Sequence, residues 1–331
     1  MGKLGTKKLD LQKLLAPAAL VILYVFFSIF GNNFFTPETL KNILESSYYI
    51  GFMAFGVTFI IITGGIDLSL GTVMMCSSLL GAFVFKQHHW PLILALFLTV
   101  GVGVFFGFLN GILVAKLKLP PFISTLGTMM MSQGFGSIIT KVQSQTWPTS
   151  TEPVGGWFKK IFIRADIFGI KGFPVGACWL IGFFIIATLI LHNTKFGRYT
   201  FAIGSNEEAT RLSGINVDNW KVGVYTLCGF FVGMAGIFYA AAYTTITPGT
   251  GNGQEMNGIT GVVIGGTSMS GGSGTMAGPL IGVVIMAVLK NGLSACGLQA
   301  PWQTFFTGVV VIGAVLLDIQ RTKAANRVKK S

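Results

Sequence analysis

The chain has 331 residues, of which 52% are hydrophobic and 10% charged, with a mean hydropathy of +0.70. A soluble domain carries about 25% charged residues, so a water-soluble globular protein is excluded. The chain reads as an all-α polytopic membrane protein: 45 glycines among apolar runs suit closely packed helices, and no alternating strand pattern points to a barrel. The net charge of +12 follows topology rather than a nucleic-acid partner. Lys3, Lys7, Lys8 and Lys13 precede the first apolar run, and Arg321, Lys323, Arg327, Lys329 and Lys330 follow the last, so both termini are expected in the cytoplasm.

In chain order, a basic N-terminus (1–13) leads into a transmembrane domain (14–320) and a basic tail (321–331). A span needs about 20 apolar residues. The runs near 14–30, 48–66, 68–86, 91–115, 121–140, 175–192, 222–243, 256–272, 277–297 and 302–318 give about ten. The first run lacks a small-residue cleavage site and is long enough to stay in the bilayer. Between the second and third runs stands Asp67, the only acid between Glu45 and Glu152. An ionisable group in a membrane segment points to function. Alternatively, Gly64-Gly65 breaks a helix and Asp67 caps the next, with Ser69 in its first turn. Asn110, near the end of the fourth run, reads as a cap or a helix–helix hydrogen bond, or as a pathway contact.

The segment 141–174, with Trp147, Pro148, Pro153 and Gly155-Gly156, is expected outside. Its Lys141, Lys159, Lys160, Arg164 and Lys171 against Glu152 and Asp166 run counter to the usual loop bias. The segment 193–221 is expected in the cytoplasm with Lys116 and Lys118. Within it, Ser205 and Glu208 stand in a capping-box relation and Gly214 is a left-handed stop. Between them lie roughly two helical turns, with Ala209, Leu212 and Ile215 as an apolar stripe. A small capped helix displayed by a membrane protein suits docking into a groove on a second protein.

Farther on, Pro248 to Asn257 is short and polar, and reads as a vestibule for a hydroxyl-rich solute or as a loop with Glu255 and Asn257 at a helix start. Gly64-Gly65-Ile66-Asp67-Leu68-Ser69-Leu70-Gly71 is echoed by Gly265-Gly266-Thr267-Ser268-Met269-Ser270-Gly271-Gly272. Asn110-Gly111, Pro120 and Gly127 recur as Asn291-Gly292, Pro301 and Gly308. Such echoes suggest an internal repeat whose Gly-rich breaks mark a central pathway. Cys76, Cys178, Cys228 and Cys296 fall inside apolar runs and read as four buried thiols, without a disulfide or zinc site. Enzyme chemistry lacks an inventory: His88, His89 and His192 form no H-E-x-x-H pattern. No serine sits in a G-x-S-x-G elbow. Gly271-Gly272-Ser273-Gly274-Thr275 lacks the G-K-[ST] ending of a phosphate loop.

Several motifs in order carry a resemblance: Ile62 to Ser69; Asn110-Gly111 followed by Pro121-Phe122-Ile123-Ser124-Thr125-Leu126-Gly127; Thr194 to Tyr199; Gly204 to Ile215; and Val263 to Ser268 leading to Gly271-Gly272. Over about residues 15–320 the chain resembles the permease subunit of the ribose/galactose/xylose-type sugar ABC importers. Glu208-Ala209-Thr210 followed by Gly214 is similar to the E-A-A-x-x-x-G coupling motif, with Thr210 for the second alanine.

The resemblance implies a homodimeric, multi-pass permease of the bacterial inner membrane. An extracytoplasmic sugar-binding protein would deliver a monosaccharide, and a cytoplasmic ATP-binding subunit would hold ATP and Mg, leaving this chain without a cofactor or catalytic residue of its own. Ser205, Asn206, Glu207, Glu208, Ala209, Thr210, Arg211, Leu212 and Gly214 would couple to the ATPase, with Glu207, Glu208 and Arg211 at the rim and Ala209 and Leu212 pressing inward. Asp67, Ser69, Asn110, Glu255, Asn257, Thr267 and Ser268 are the pathway candidates. Where such permeases tend to have a Glu-Leu-Asp run, this chain has Glu255-Met256-Asn257, so the solute stays open. Nucleosides or a signalling sugar are alternatives in the same family, and an ion-coupled secondary transporter is the alternative from another class.

Overall fold

In lipid, a backbone must satisfy its own hydrogen bonds, so apolar runs become helices. The computed structural model describes residues 11–167 and 169–328. Lys3, Lys7, Lys8, Lys329 and Lys330, on which the terminal charge argument partly rests, lie outside the described residues, and so do the side chains of Lys13, Arg321, Lys323 and Arg327. The first half comprises α1 (Leu11–Phe30), α2 (Pro37–Ile62), α3 (Leu70–Gln87), α4 (Leu92–Gly111) with a π-helical turn at Ile112–Lys116, and α5 (Pro121–Ile139). After α6 (Trp157–Phe162) come α7 (Val175–Asn193), α8 (Lys195–Ser205), α9 (Glu207–Leu212) and α10 (Val217–Tyr243). The chain closes with α11 (Gln254–Ile264), α12 (Ala277–Ala295) and α13 (Ala300–Val328).

Among the described residues, seven helices are long and apolar enough to cross a membrane: α2, α3, α4 with its π turn, α7, α10, α12 and α13 as far as Gln320. Two expected runs are corrected. The run placed at 48–66 begins at Pro37, because Thr36 caps the helix by accepting from Thr39 N–H and Pro37 occupies its first turn. The run placed at 256–272 is no single helix. α11 has eleven residues, roughly 16 Å of rise, and stops at Ile264 because Gly266, at φ +91°, cannot continue a right-handed helix.

α2 is the central element. Eighteen of its residues are buried, and its Phe52 ring stacks on Phe238 of α10 at 4.6 Å. At one end, β1 (Gln145–Thr146) pairs antiparallel with β4 (Thr245–Ile246). Trp147 beside it is fully buried, donating its indole N–H to the Ser78 carbonyl at 3.1 Å and stacking on Phe158 at 5.0 Å. A second hairpin joins β2 (Ala165–Ile167) to β3 (Ile170–Phe173). The unexpected positive charge of this region is partly met from α2: Arg164 pairs with Glu38 and Glu45. The expectation of four buried thiols fails at two sites. Cys76 and Cys228 are buried, but Cys178 is exposed and Cys296 partly so, because an apolar residue on a membrane helix can face outward as readily as inward.

α4 and α10 cross on glycine. A Cβ on Gly103 would lie 2.4 Å from the Gly229 carbonyl oxygen, and one on Gly107 would lie 2.4 Å from that of Tyr225. Small residues four apart let the two backbones meet. Gly107→Leu is therefore expected to force the helices apart and to cost at least about 1–3 kcal/mol, seen as a lower unfolding temperature of the purified chain in detergent. Gly127→Leu, where a Cβ meets nothing within 4 Å, is expected to leave that temperature unchanged.

Candidate functional site

Between α7 and α10 the chain leaves the bundle as two short helices. Thr194 opens α8, its hydroxyl accepting from Gly197 N–H. The cap of α9 is Asn206 and not Ser205: Asn206 is extended (φ −162°, ψ 103°) and its side-chain oxygen accepts from Ala209 N–H at 2.9 Å. Ser205 still belongs to α8, so its hydroxyl is not at the cap position and no Ser205–Glu208 box forms. α9 is thus six residues long. Gly214 takes the left-handed conformation at φ +82°, its N–H donating to the Arg211 carbonyl.

The charges of α9 divide. Glu207 pairs with Lys221, and Arg211 bonds to Glu207 at 3.4 Å and to Asp218 at 2.8 Å, while Lys118 also reaches Asp218. Partial burial raises the Glu207 carboxyl, but its bonds to Lys221 and Arg211 outweigh this and hold it below the usual carboxylate range. These groups brace α9 against the start of α10. Thr210 faces inward, buried, and donates to the Asn206 carbonyl at 2.8 Å. Glu208, Ala209 and Leu212 face outward, Leu212 with 84% of its surface exposed, and Ile215 is half-buried. An uncovered leucine on a braced, capped helix is a ready contact for another surface.

Inside the bundle, the connection 63–69 carries a polar chain. Asp67 is buried; its Oδ1 accepts from the Ser69 N–H at 2.8 Å and the Ser69 hydroxyl at 2.6 Å, and its Oδ2 accepts from Asn110 Nδ2 at 3.3 Å. Asn110 Nδ2 also donates to the Ser69 hydroxyl, and Asn110 Oδ1 accepts from Thr128 of α5 at 2.6 Å. Beside it, Ser132 donates to the Thr72 hydroxyl. Three of the pathway candidates (Asp67, Ser69 and Asn110) therefore meet in one place.

The others do not join them. Glu255, in the first turn of α11, is buried; its Oε1 accepts from Gly253 N–H, while Oε2 lies beside Gly71 without a hydrogen-bond partner. Asn257 bonds to Gln254. Thr267 is fully buried with an unpartnered hydroxyl, and Ser268 accepts from Ser270 N–H. Above Thr72 and Ser132, Gln133 of α5 donates to the Gly249 carbonyl and accepts from Asn252, closing over a cavity of about 10 Å³.

Two residues with a legible signal were not singled out by sequence. Asp318, the one acid after Glu255, is buried and accepts from Met269 N–H at 3.1 Å, tying α13 to the α11–α12 connection. Lys290, the only Lys or Arg in α12, donates to the hydroxyls of Tyr49 (2.9 Å) and Tyr243 (3.2 Å). A charge inside an apolar run, the criterion that selected Asp67, would have selected both.

Apolar helices packed around buried polar side chains, with a braced helix displayed beyond them, make a multi-pass membrane transport component. Residues 39–315 match the family described as branched-chain amino acid transport system / permease component, and the chain belongs to that family. It is 38% identical over 306 residues to the ribose import permease protein RbsC of Escherichia coli (strain K12), covering 91% of each chain. The identity is also 38%, over 312 residues and 94% of each chain, to RbsC of Bacillus subtilis (strain 168). It is 30% identical over 369 residues to the xylose transport system permease protein XylH of Escherichia coli (strain K12), covering 96% of this chain and 94% of that one. No solved structure matches.

Asp67→Ala would leave the Ser69 N–H and hydroxyl without their acceptor and remove one of the two acceptors of Asn110 Nδ2, an expected cost of about 1–3 kcal/mol. Asp67→Asn retains one acceptor and should cost less. Thermal unfolding of both variants in detergent checks the order, and equal stability of Asp67→Ala and the natural chain would contradict it.

Proposed function

We propose that this chain is the membrane-spanning permease of an ATP-binding-cassette importer that passes a monosaccharide of the ribose, fructose or xylose type. The observation that carries the reading is its correspondence along nearly its whole length to permeases named for those sugars. The uncovered α9 supports it independently, since a chain without a phosphate loop needs a surface on which an ATP-binding subunit can act. ATP and Mg belong to that subunit. A second copy of this chain completes the pathway, and an extracytoplasmic binding protein loads it.

Counting α1 and α5 with the seven long helices, and α11 together with the non-helical connection after Ile264 as one broken crossing, gives ten, with both termini and α9 on the cytoplasmic side of the inner membrane. The stops after Ile62 and Ile264 are the corresponding breaks of a repeated half. Asp67, Ser69 and Asn110 line the pathway beside its inner end, and Glu255 and Asn257 beside its outer part. In the coupling segment Ala209 and Leu212 make the contact, Glu208 lies at its rim, and Asn206, Thr210, Glu207, Arg211 and Gly214 hold the shape. Ser205 belongs to the α8 side of the joint.

The test is co-purification with the ATP-binding subunit. Leu212→Asp is expected to abolish association and uptake of labelled ribose, xylose or fructose into vesicles, while the permease still elutes as a folded species. Undiminished association and uptake would sink the assignment of α9.

A further inference from the structure

The end of α8 meets two other elements backbone to backbone, beyond the ring contact that Phe196 at its start makes with Phe59 of α2. A Cβ on Gly204 would lie 1.7 Å from the Ile62 carbonyl oxygen and 2.6 Å from the Gly272 nitrogen. Those two atoms are hydrogen-bonded to each other, Gly272 N–H donating to Ile62 O at 2.9 Å. Gly271, at φ +82°, would place a Cβ 2.9 Å from the Gly204 oxygen and 3.0 Å from the Gly64 nitrogen. One point thus brings together the end of α2, the end of α8 and the α11–α12 connection, with Gly204, Gly271 and Gly272 in direct backbone contact there.

Each partner carries candidate pathway residues. The connection after Ile62 bears Asp67, and Tyr225 of α10 donates to its Ile66 carbonyl at 3.2 Å. The connection after Ile264 bears Thr267 and Ser268 and is gripped from α13 by Asp318. Close-packed backbone transmits strain because it has little room to deform.

We propose that Gly204, the Ile62 carbonyl and Gly272 form a rigid joint by which α8 and α9 move both connections as one body, making Gly204 a positioning residue for transport. The inference rests on α9 being the ATPase contact. It fails separately, because that contact is read by association and the joint by the ratio of uptake to ATP hydrolysis.

The experiment uses the assembled permease, ATP-binding subunit and binding protein in vesicles, with labelled ribose, xylose and fructose as probes. Gly204→Ala is expected to keep the ATP-binding subunit bound and hydrolysis within about twofold of the natural complex, while uptake per ATP falls by about tenfold or more. Natural uptake per ATP in this variant overturns the joint.

Should Gly204→Ala fail to fold, the double variant I62C/G274C decides, in a C178S/C296S background. A Cβ on Gly274 would lie 2.9 Å from Thr267 Cγ2 and 3.0 Å from the Ile62 Cγ1 and Cδ1 atoms, close enough to the Ile62 Cβ for a disulfide once I62C replaces those two atoms with one sulfur. The cross-link is expected to form without nucleotide and to leave uptake unchanged between oxidised and reduced vesicles, since the joined parts already move together. Failure to cross-link, or loss of uptake on oxidation that reduction restores, overturns the proposal.

Discussion

A helix that stops inside a packed bundle leaves carbonyls and N–H groups that must find partners in the protein, and the molecule is arranged around the stop of α2 at the buried Ile62. The Ile60 carbonyl takes the N–H groups of Thr63 and Gly65. The Ile62 carbonyl takes that of Gly272, the Ile66 carbonyl takes the Tyr225 hydroxyl, and Asp67 takes the N–H of Ser69. Partners therefore come from α10, from the α11–α12 connection and from the segment itself. Satisfying one interruption ties together helices distant in sequence, and the same ties hold the polar chain in place.

That network explains which features were legible beforehand. Apolar runs announced the long helices, and Thr36-Pro37-Glu38 contained a start signal for α2 that outranked the apolar boundary at 48. Gly214 read correctly because a left-handed stop is a local property. The cap of α9 was misread by one residue: Ser205 and Asn206 are both competent caps, and the choice depends on how far α8 continues, which is through Ser205. α11 was misread as a full span because apolar composition counts residues without seeing that Gly266 ends the helix.

The polar site was half legible. Asp67 and Ser69 are neighbours in sequence, but Asn110 and Thr128 reach them only through the packing of α4 and α5. No spacing rule encodes that meeting. Asp318 and Lys290 carried the same signal as Asp67 and were hidden by the apolar runs around them. What α9 presents outward was readable as an apolar stripe, whereas the inward bracing of Glu207 and Arg211 was not, because Lys221 and Asp218 lie beyond the turn at Gly214.

Under the proposed function, the apolar helices guide a solute and the outward-facing α9 receives its motion from another subunit. The most direct measurement is solute accumulation in vesicles holding this chain alone, compared with vesicles that also hold its ATP-binding subunit, binding protein and ATP. The account predicts accumulation against a gradient only in the complete assembly. Accumulation by the chain alone, driven by a proton or sodium gradient, would contradict it.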